Sequence, residues 1–200
     1  MEPAKSRMTT PAGTHVAPRS LDKFAGNFRR LGRVDPAAIY EKTRALTEDD
    51  WAANEWRQKR FDTHADTQTI ELIFDTDFRH EDPTRRDKYF ELGFDSLLEP
   101  LIDVISNFYT GDGYVVRAIL VRLKGRGVIP KHVDTGYTLM NCRRIHMPIV
   151  SSDQVEFTVG GEQQVMKEGE LWEINNAREH SVVNKGDDGR VHLIVDWVPQ

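Results

Sequence analysis

His132 and Asp134 are the two residues whose types and spacing most directly suggest chemistry. They lie in "KHVDTGY", residues 131–137, after the apolar run "VIP". In an extended chain, residues i and i+2 project to the same side, so an imidazole and a carboxylate would point together. Both groups are ligands for divalent transition metals. The pair therefore predicts a metal site, with a turn role for Asp134 as the alternative.

A complete site needs a third ligand from elsewhere in the chain. Two histidines and one carboxylate with open positions form the facial triad of non-haem Fe(II) oxygenases. The downstream candidates are His146, His180 and His192, and His180 opens the run "HSVVN" at a strand edge. Arg190, ten residues after His180, could clamp a carboxylate with two parallel hydrogen bonds. An iron site beside such a cation is what a 2-oxoglutarate-dependent oxygenase requires.

Short β-type runs fill the second half of the chain and must position these residues. From residue 111 onward, "YVVRAILVRL", "RIHMPIV" and "RVHLIVDWV" are separated by turns such as "KGRG" and "NKGDDG". Many short strands at close spacing predict a sandwich or barrel. Their length and order favour a mainly β fold, the double-stranded β-helix or cupin-like jelly roll. We expect its core at about 64–74 and 111–198.

Helical patterns prevail in residues 20–110. Thr47 is placed to cap a helix, with Asp50 three residues on, as in a capping box. The segment "SLLEPLIDVISNFY", 96–109, has the apolar spacing of a buried helix, with Pro100 expected in its first turn. Helices of this N-terminal half would pack on one sheet of the jelly roll.

Composition limits the class of protein. With 38% hydrophobic and 30% charged residues, the chain is typical of a globular protein, and we expect one oxygenase domain at 20–200 after a disordered tail at 1–19. The net charge of −5 argues against a nucleic-acid or acidic-membrane partner. No apolar run reaches the ~18–20 residues that span a bilayer, and the N-terminus lacks the apolar core of a secretory signal, which predicts a cytoplasmic protein. The single Cys142 excludes a cysteine-based zinc cluster.

The chain resembles the aspartyl/asparaginyl β-hydroxylase family of Fe(II)/2-oxoglutarate-dependent oxygenases, which includes bacterial proline hydroxylase-like enzymes. The resemblance covers roughly residues 64–198. It is carried by "IPKHVD", "NCRRIHMPI", "GELWEINNAREHSVVN" and "GRVHLIVDW", in the family's order and approximate spacing. The resemblance implies Fe(II) as the metal, 2-oxoglutarate as cosubstrate and O2 as oxidant.

Residue by residue, the resemblance identifies His132, Asp134 and His180 with the iron ligands. The vertebrate aspartyl hydroxylases lack the carboxylate ligand, whereas this chain has Asp134, as the bacterial amino-acid hydroxylases do. Related iron halogenases leave the carboxylate position empty for chloride. The presence of Asp134 therefore favours hydroxylation over halogenation, with desaturation and ring formation left open.

The same resemblance identifies cosubstrate contacts. Arg190 corresponds to the arginine that holds the distal carboxylate of 2-oxoglutarate. Arg144 and His146 correspond to an R-x-H pair that reaches toward the metal-proximal carboxylate in the aspartyl hydroxylases. For His146, a hydrogen-bonded histidine inside the barrel is the alternative, and His192 is expected in the core or supporting the site.

Substrate contacts are the least constrained part of the interpretation. Arg122 and Trp172 are the candidates, with a solvated face for Arg122 and core packing for Trp172 as alternatives. Arg143 and Arg178 could also receive a carboxylate, whereas Arg117, of opposite parity to Arg122, is expected to be solvated. The resulting hypothesis is hydroxylation of a small amino acid or related carboxylate metabolite. The alternatives are hydroxylation of Asp or Asn residues in a peptide or protein, and a non-catalytic cupin-like metal or ligand-binding protein.

Overall fold

The computed structural model of the chain describes residues 21–54, 65–109 and 111–200. Its strands are Phe28–Arg33 (β1), Thr67–Asp75 (β2), Pro83–Arg85 (β3), Gly113–Leu123 (β4), Val128–His132 (β5), Arg143–Val150 (β6), Val155–Val159 (β7), Glu162–Gln164 (β8), Glu170–Ile174 (β9), His180–Asn184 (β10) and Arg190–Pro199 (β11). Its helices are Ala37–Arg44 (α1), Glu48–Ala52 (α2), Asp87–Glu91 (α3), Phe94–Tyr109 (α4) and Tyr137–Met140 (α5).

Two antiparallel sheets form the body of the protein. The larger has seven strands in the order β1-β9-β6-β11-β4-β2-β3, and the smaller has four in the order β5-β10-β7-β8. Neighbouring strands in each sheet come from distant parts of the chain, as in a jelly roll. The predicted mainly β double-stranded β-helix is confirmed.

Alternate side chains of strand β11 lie on opposite faces of the larger sheet. Side chains alternate along a strand, so Val191, Leu193 and Val195 pack into the core beneath the helices. Arg190 and Ile194 face the opposite way and line a cavity. The functional residues therefore lie on the side of the larger sheet turned away from the helices.

The helices cover the outer face of the larger sheet, as predicted. Helix α4 buries Phe94, Leu98, Leu101 and Ile105, which recur at the three- and four-residue spacing of one helix face. Thr47 caps the N-terminus of helix α2: its side chain accepts from the Asp50 backbone N–H and the Asp50 carboxylate accepts from the Thr47 backbone N–H, so the predicted capping box is confirmed.

Residues 20–110 differ from the sequence prediction in two places. The first turn of α4 starts at Phe94, so Pro100 lies in the second turn and the prediction for it was wrong. The segment 20–110, expected to be helical, also contributes β1, which pairs with β9. The predicted disordered tail at 1–19 lies outside the described residues. Within the part of the chain that the structure describes, no helix is long and apolar enough to cross a membrane.

Candidate metal centre and cosubstrate cavity

His132 and His180 face each other across two strands of the smaller sheet. His132 ends β5 and His180 begins β10, and the two are direct partners in the antiparallel register. Directly opposed residues project their side chains to the same face. The ring centroids are accordingly 4.2 Å apart.

Both imidazoles are oriented by the backbone two residues before them. His132 Nδ1 lies 2.8 Å from the carbonyl oxygen of Pro130, and His180 Nδ1 lies 3.0 Å from that of Arg178. A carbonyl only accepts, so Nδ1 carries the proton in each ring and Nε2 is the atom available as a metal ligand. Such bonds fix the tautomer and the ring orientation of metal-binding histidines.

Asp134 completes the cluster. Its Oδ1 lies 3.8 Å from His132 Nε2 and 3.9 Å from His180 Nε2, and one ligand atom from each residue lies within 4.8 Å of the others. Two imidazole nitrogens and one carboxylate oxygen, converging from one side, are the donor set of a facial Fe(II) site. The residues present therefore fit the metal that the sequence predicts.

The second carboxylate oxygen of Asp134 is held by the protein. Arg144 Nη1 lies 3.0 Å from Oδ2, and Asn176 Nδ2 donates to the same oxygen at 3.2 Å. Burial by itself raises the pKa of the Asp134 carboxyl, but Arg144 and then His180 and His132 outweigh it, so the pKa lies below its usual value. Asp134 is thus charged, with Oδ1 turned to the histidines.

The guanidinium of Arg144 contacts two carboxylates. Its Nε and Nη2 donate to the two oxygens of Asp196 at 2.9 and 2.8 Å, while Nη1 faces Asp134. Asp196 is fully buried and lies opposite Arg144 in the pairing of β11 with β6. The structure thus brings the predicted Arg144 to the cluster, where it orients the third ligand.

The metal cluster lies in a cavity between the two sheets, with an empty volume, including its mouth, of about 500 Å³. Besides the cluster, Arg144, His146 and Arg190, its lining is apolar and consists of Val121, Ile129, Phe157, Val182 and Ile194. Arg190 is only 1% exposed. In the described part of the chain it has no ion pair with a carboxylate, and its recorded hydrogen bond joins Nη2 to His192 Nδ1 at 2.6 Å.

Arg190 is therefore a buried cation without a counter-charge. Burial lowers its pKa to about 9, which leaves the guanidinium charged at neutral pH. An isolated buried charge is costly unless a partner compensates it. A ligand carboxylate in the cavity would supply that partner.

His146 lines the same cavity, with its ring 5.1 Å from that of Phe157. Its Nδ1 lies 3.4 Å from Nδ1 of His192, and its Nε2 is buried without a partner. Burial, with the charge of Arg190 and then of Arg144, holds the pKa of His146 well below its usual range. The imidazole is therefore neutral.

The structure does not bring Arg122 to the cavity. Along β4, Val121 lines the cavity and Arg122 points to the opposite side, because side chains alternate. There Arg122 donates to Glu48 and Gln68 and stacks 4.7 Å from the ring of Trp51. The Arg122 guanidinium is therefore paired with Glu48 on the helical side of the sheet.

Trp172 also lies outside the cavity lining, with its Nε1 donating to Glu170 at 3.0 Å and its half-buried ring packed against the core near Phe28. This placement matches the core-packing alternative. Arg143 and Arg178, the other candidate cations, contact Glu173 and Asn27 respectively.

Arg117 is buried, so the expectation that it is solvated was wrong. It forms an ion pair with the fully buried Asp75 and lies 4.4 Å from the ring of Phe74. Arg117 does lie on the face opposite Arg122, but this inner face, which it shares with its strand partner Asp196, is buried as well.

Sequence reasoning missed Asn176, which donates to Asp134 and to the carbonyl of Leu139. It also gave no role to Asp196, the penultimate residue of the quoted motif "GRVHLIVDW". For Asp196, a charged residue within an apolar strand was the available signal, because buried carboxylates are almost always paired.

Comparisons with known proteins agree with this geometry. The family model "Aspartyl/Asparaginyl beta-hydroxylase" matches residues 101–199. No curated protein sequence matches the chain.

Solved structures show the same fold. A 2OG-Fe(II) oxygenase family protein of Burkholderia pseudomallei is 14% identical, with a TM-score of 0.54 over 66% of this chain and 67% of that one. The viral collagen prolyl hydroxylase of Paramecium Bursaria Chlorella virus-1 is 6% identical, with a TM-score of 0.56 over 88% and 97%. A Pseudomonas putida prolyl-4-hydroxylase is 10% identical, with a TM-score of 0.54 over 88% and 94%.

The matched segment contains the whole His132–Asp134–His180 cluster together with Arg144 and Arg190. Through residues 101–199 the chain belongs to the aspartyl/asparaginyl beta-hydroxylase family, and it is an Fe(II)- and 2-oxoglutarate-dependent oxygenase.

Proposed function

We propose that this oxygenase hydroxylates an unactivated carbon of a small amino acid or a related carboxylate metabolite. The observation that carries the proposal is the cavity itself, which is lined by a complete His-Asp-His donor set and the uncompensated Arg190. A mostly apolar cavity with a few converging polar groups is the usual form of a small-molecule site.

In this proposal His132, Asp134 and His180 hold Fe(II), and Arg190 pairs with the distal carboxylate of 2-oxoglutarate. Bound Fe(II) supplies the redox chemistry by which O2, 2-oxoglutarate and a substrate C–H group become succinate, CO2 and a C–OH group. Asp134 supplies the anionic ligand through Oδ1, because Oδ2 is already taken by Arg144 and Asn176.

The remaining lining residues exclude water and set orientation. Phe157 lies between His180, with ring centroids 6.4 Å apart and nearly parallel, and the guanidinium of Arg190, 6.0 Å from its centroid. Val121, Ile129, Val182 and Ile194 complete an apolar wall. In such surroundings the interaction of Arg190 with a carboxylate is stronger than in water.

The experiment that tests the proposal is a metabolite screen read by succinate release. Purified protein with Fe(II), ascorbate and 2-oxoglutarate should release succinate slowly, and the true substrate should accelerate the release. Absence of 2-oxoglutarate binding under anaerobic Fe(II) would refute the assignment of the cavity. An Asp134→Ala protein is the matched control for release that does not depend on the site.

Hydroxylation of Asp or Asn residues in a peptide or protein is the second candidate, and the family match over residues 101–199 favours it. Mass spectrometry of peptide libraries beside free amino acids separates the two, since turnover of free amino acids alone rejects the peptide.

A further inference from the structure

The N-terminal strap, residues 21–27, contacts both of the segments that connect metal ligands to the sheets. It leads directly into β1. One of the two segments is 133–142, which contains Asp134 and joins β5 to β6. The other is the turn 175–179, which joins β9 to β10 and immediately precedes His180. The strap is therefore placed to hold two metal ligands from outside the cavity.

Lys23 holds the segment that contains the carboxylate ligand. Its Nζ donates to the carbonyl oxygen of Leu139 at 3.1 Å and to that of Cys142. Asn176 Nδ2 donates to the same Leu139 oxygen at 2.9 Å and to Oδ2 of Asp134 at 3.2 Å. A carbonyl oxygen has two lone pairs, so it accepts from both donors. The Leu139 carbonyl therefore links Lys23 to the amide that orients the carboxylate.

Asn175 and Arg178 hold the second segment to the strap. Asn175 Nδ2 donates to the carbonyl oxygen of Phe24 at 2.8 Å, and the Asn175 backbone N–H donates to that of Asn27 at 3.0 Å. Arg178 Nη1 donates to Oδ1 of Asn27 at 2.8 Å. The carbonyl oxygen of Arg178 is also the acceptor that orients His180 through Nδ1. One residue thus joins the strap to the histidine ligand.

The environment of Lys23 favours a specific role over a general one. Its side chain is half-buried, and burial lowers the pKa of its ammonium group. Such a group is costly to the fold unless hydrogen bonds compensate it. Both carbonyl oxygens that accept from Lys23 Nζ belong to the segment 133–142. The bonds that compensate the ammonium therefore fix the segment of Asp134.

We propose that the N-terminal strap positions two of the three metal ligands. Lys23 acts on Asp134, and Arg178 transmits the contact with the strap to His180. The inference rests on the metal site of the proposed function and is independent of the organic substrate. Residues that orient metal ligands typically account for about 10–100-fold in metal affinity.

Anaerobic titration with Fe(II) against a competing chelator measures this effect without turnover. Lys23→Met keeps the aliphatic stem and removes the donor, and we expect the Fe(II) affinity to fall ~10-fold, at the low end of the range for groups that orient ligands. Lys185→Met is the matched control, because Lys185 is exposed and pairs with Glu156. It should bind Fe(II) as the parent does.

Ile105→Val separates positioning from general stability. Ile105 is fully buried in α4, so the loss of one methyl group should lower the free energy of unfolding in urea. The Fe(II) affinity of the folded variant should remain that of the parent. A loss of affinity in Ile105→Val as large as in Lys23→Met would show a general effect of stability and overturn the inference.

Arg178→Met tests the second contact of the strap. Its side chain is exposed, so this variant should fold even where Lys23→Met does not. We expect the Fe(II) affinity to fall roughly threefold or more, the worth of one hydrogen bond. Parent-like affinity in either variant overturns the inference for the ligand that it tests. A parent protein that binds no Fe(II) would instead refute the metal site itself.

Discussion

The buried charge of Arg190 should lower the free energy of unfolding and should also be necessary for cosubstrate binding. Replacing Arg190 with methionine separates the two effects. The guanidinium is 1% exposed, with His192 as its recorded hydrogen-bond partner and no carboxylate beside it in the described chain. Burial lowers its pKa to about 9, well below the usual value of an arginine. At about 1.36 kcal/mol for each pKa unit, the charged form carries a penalty on the order of 5 kcal/mol.

A methionine of similar length removes this penalty and keeps most of the packing. Replacing buried charges with apolar residues of similar volume is often stabilising by about 1–4 kcal/mol. We therefore expect Arg190→Met to raise the free energy of unfolding of the metal-free protein within that range, measured by urea denaturation. The same variant should lose 2-oxoglutarate binding, measured by anaerobic titration of the Fe(II) protein.

Arg190→Lys refines the test, because it keeps the charge and loses the planar fork. A hydrogen bond to a charged group contributes about 1.5–3 kcal/mol, so the loss of one should weaken 2-oxoglutarate ~10–150-fold. In the parent, 2-oxoglutarate at about 100 times its Kd should add ~2.7 kcal/mol of stability, and in Arg190→Met it should add none. A destabilised Arg190→Met, or parent-like binding in Arg190→Lys, would refute the view of Arg190 as an uncompensated cation awaiting a carboxylate.

Three further changes, one of them with a matched control, test other parts of the protein. Asp134→Ala should abolish hydroxylation and weaken Fe(II) ~10–100-fold in a metal titration, whereas parent-like activity would indicate a two-histidine site. Lys23→Met removes the donor to the carbonyls of Leu139 and Cys142 and should cost about 1–3 kcal/mol in urea denaturation. Lys131→Met, on an exposed pair with Glu179, should cost less than ~1 kcal/mol, and an equal loss in both would count against a specific role for Lys23. Arg122→Ala should leave Fe(II) and 2-oxoglutarate affinities unchanged, and a tenfold loss of either would return Arg122 to the site.

The sequence by itself determined the features that depend on near neighbours in the chain. His132 and Asp134 project together because two positions on an extended chain share a side, and their ligand atoms lie 3.8 Å apart. Thr47 and Asp50 form the capping box because its two hydrogen bonds span three residues of one helix turn. Both follow from local geometry.

Resemblance extended the prediction to distant residues. His180 and Arg190 were identified by motif order, and both line the cavity with the His132–Asp134 pair. Periodicity alone left His146, His180 and His192 equivalent as third ligands. The strand register decided among them, because only His180 lies directly opposite His132.

Tertiary structure alone decided which charges are buried and what they contact. Alternation along β4 predicts that Arg117 and Arg122 lie on opposite faces, but both faces of this sheet are covered, one by helices and one by the second sheet. Arg117 lies inside with Asp75, and Arg122 lies under α2 with Glu48. Arg144 likewise forms hydrogen bonds to Asp196, 52 residues later in the sequence, across the β6–β11 pairing. A buried charge is stabilised by partners that the fold supplies from distant segments, and no local pattern in the sequence specifies them.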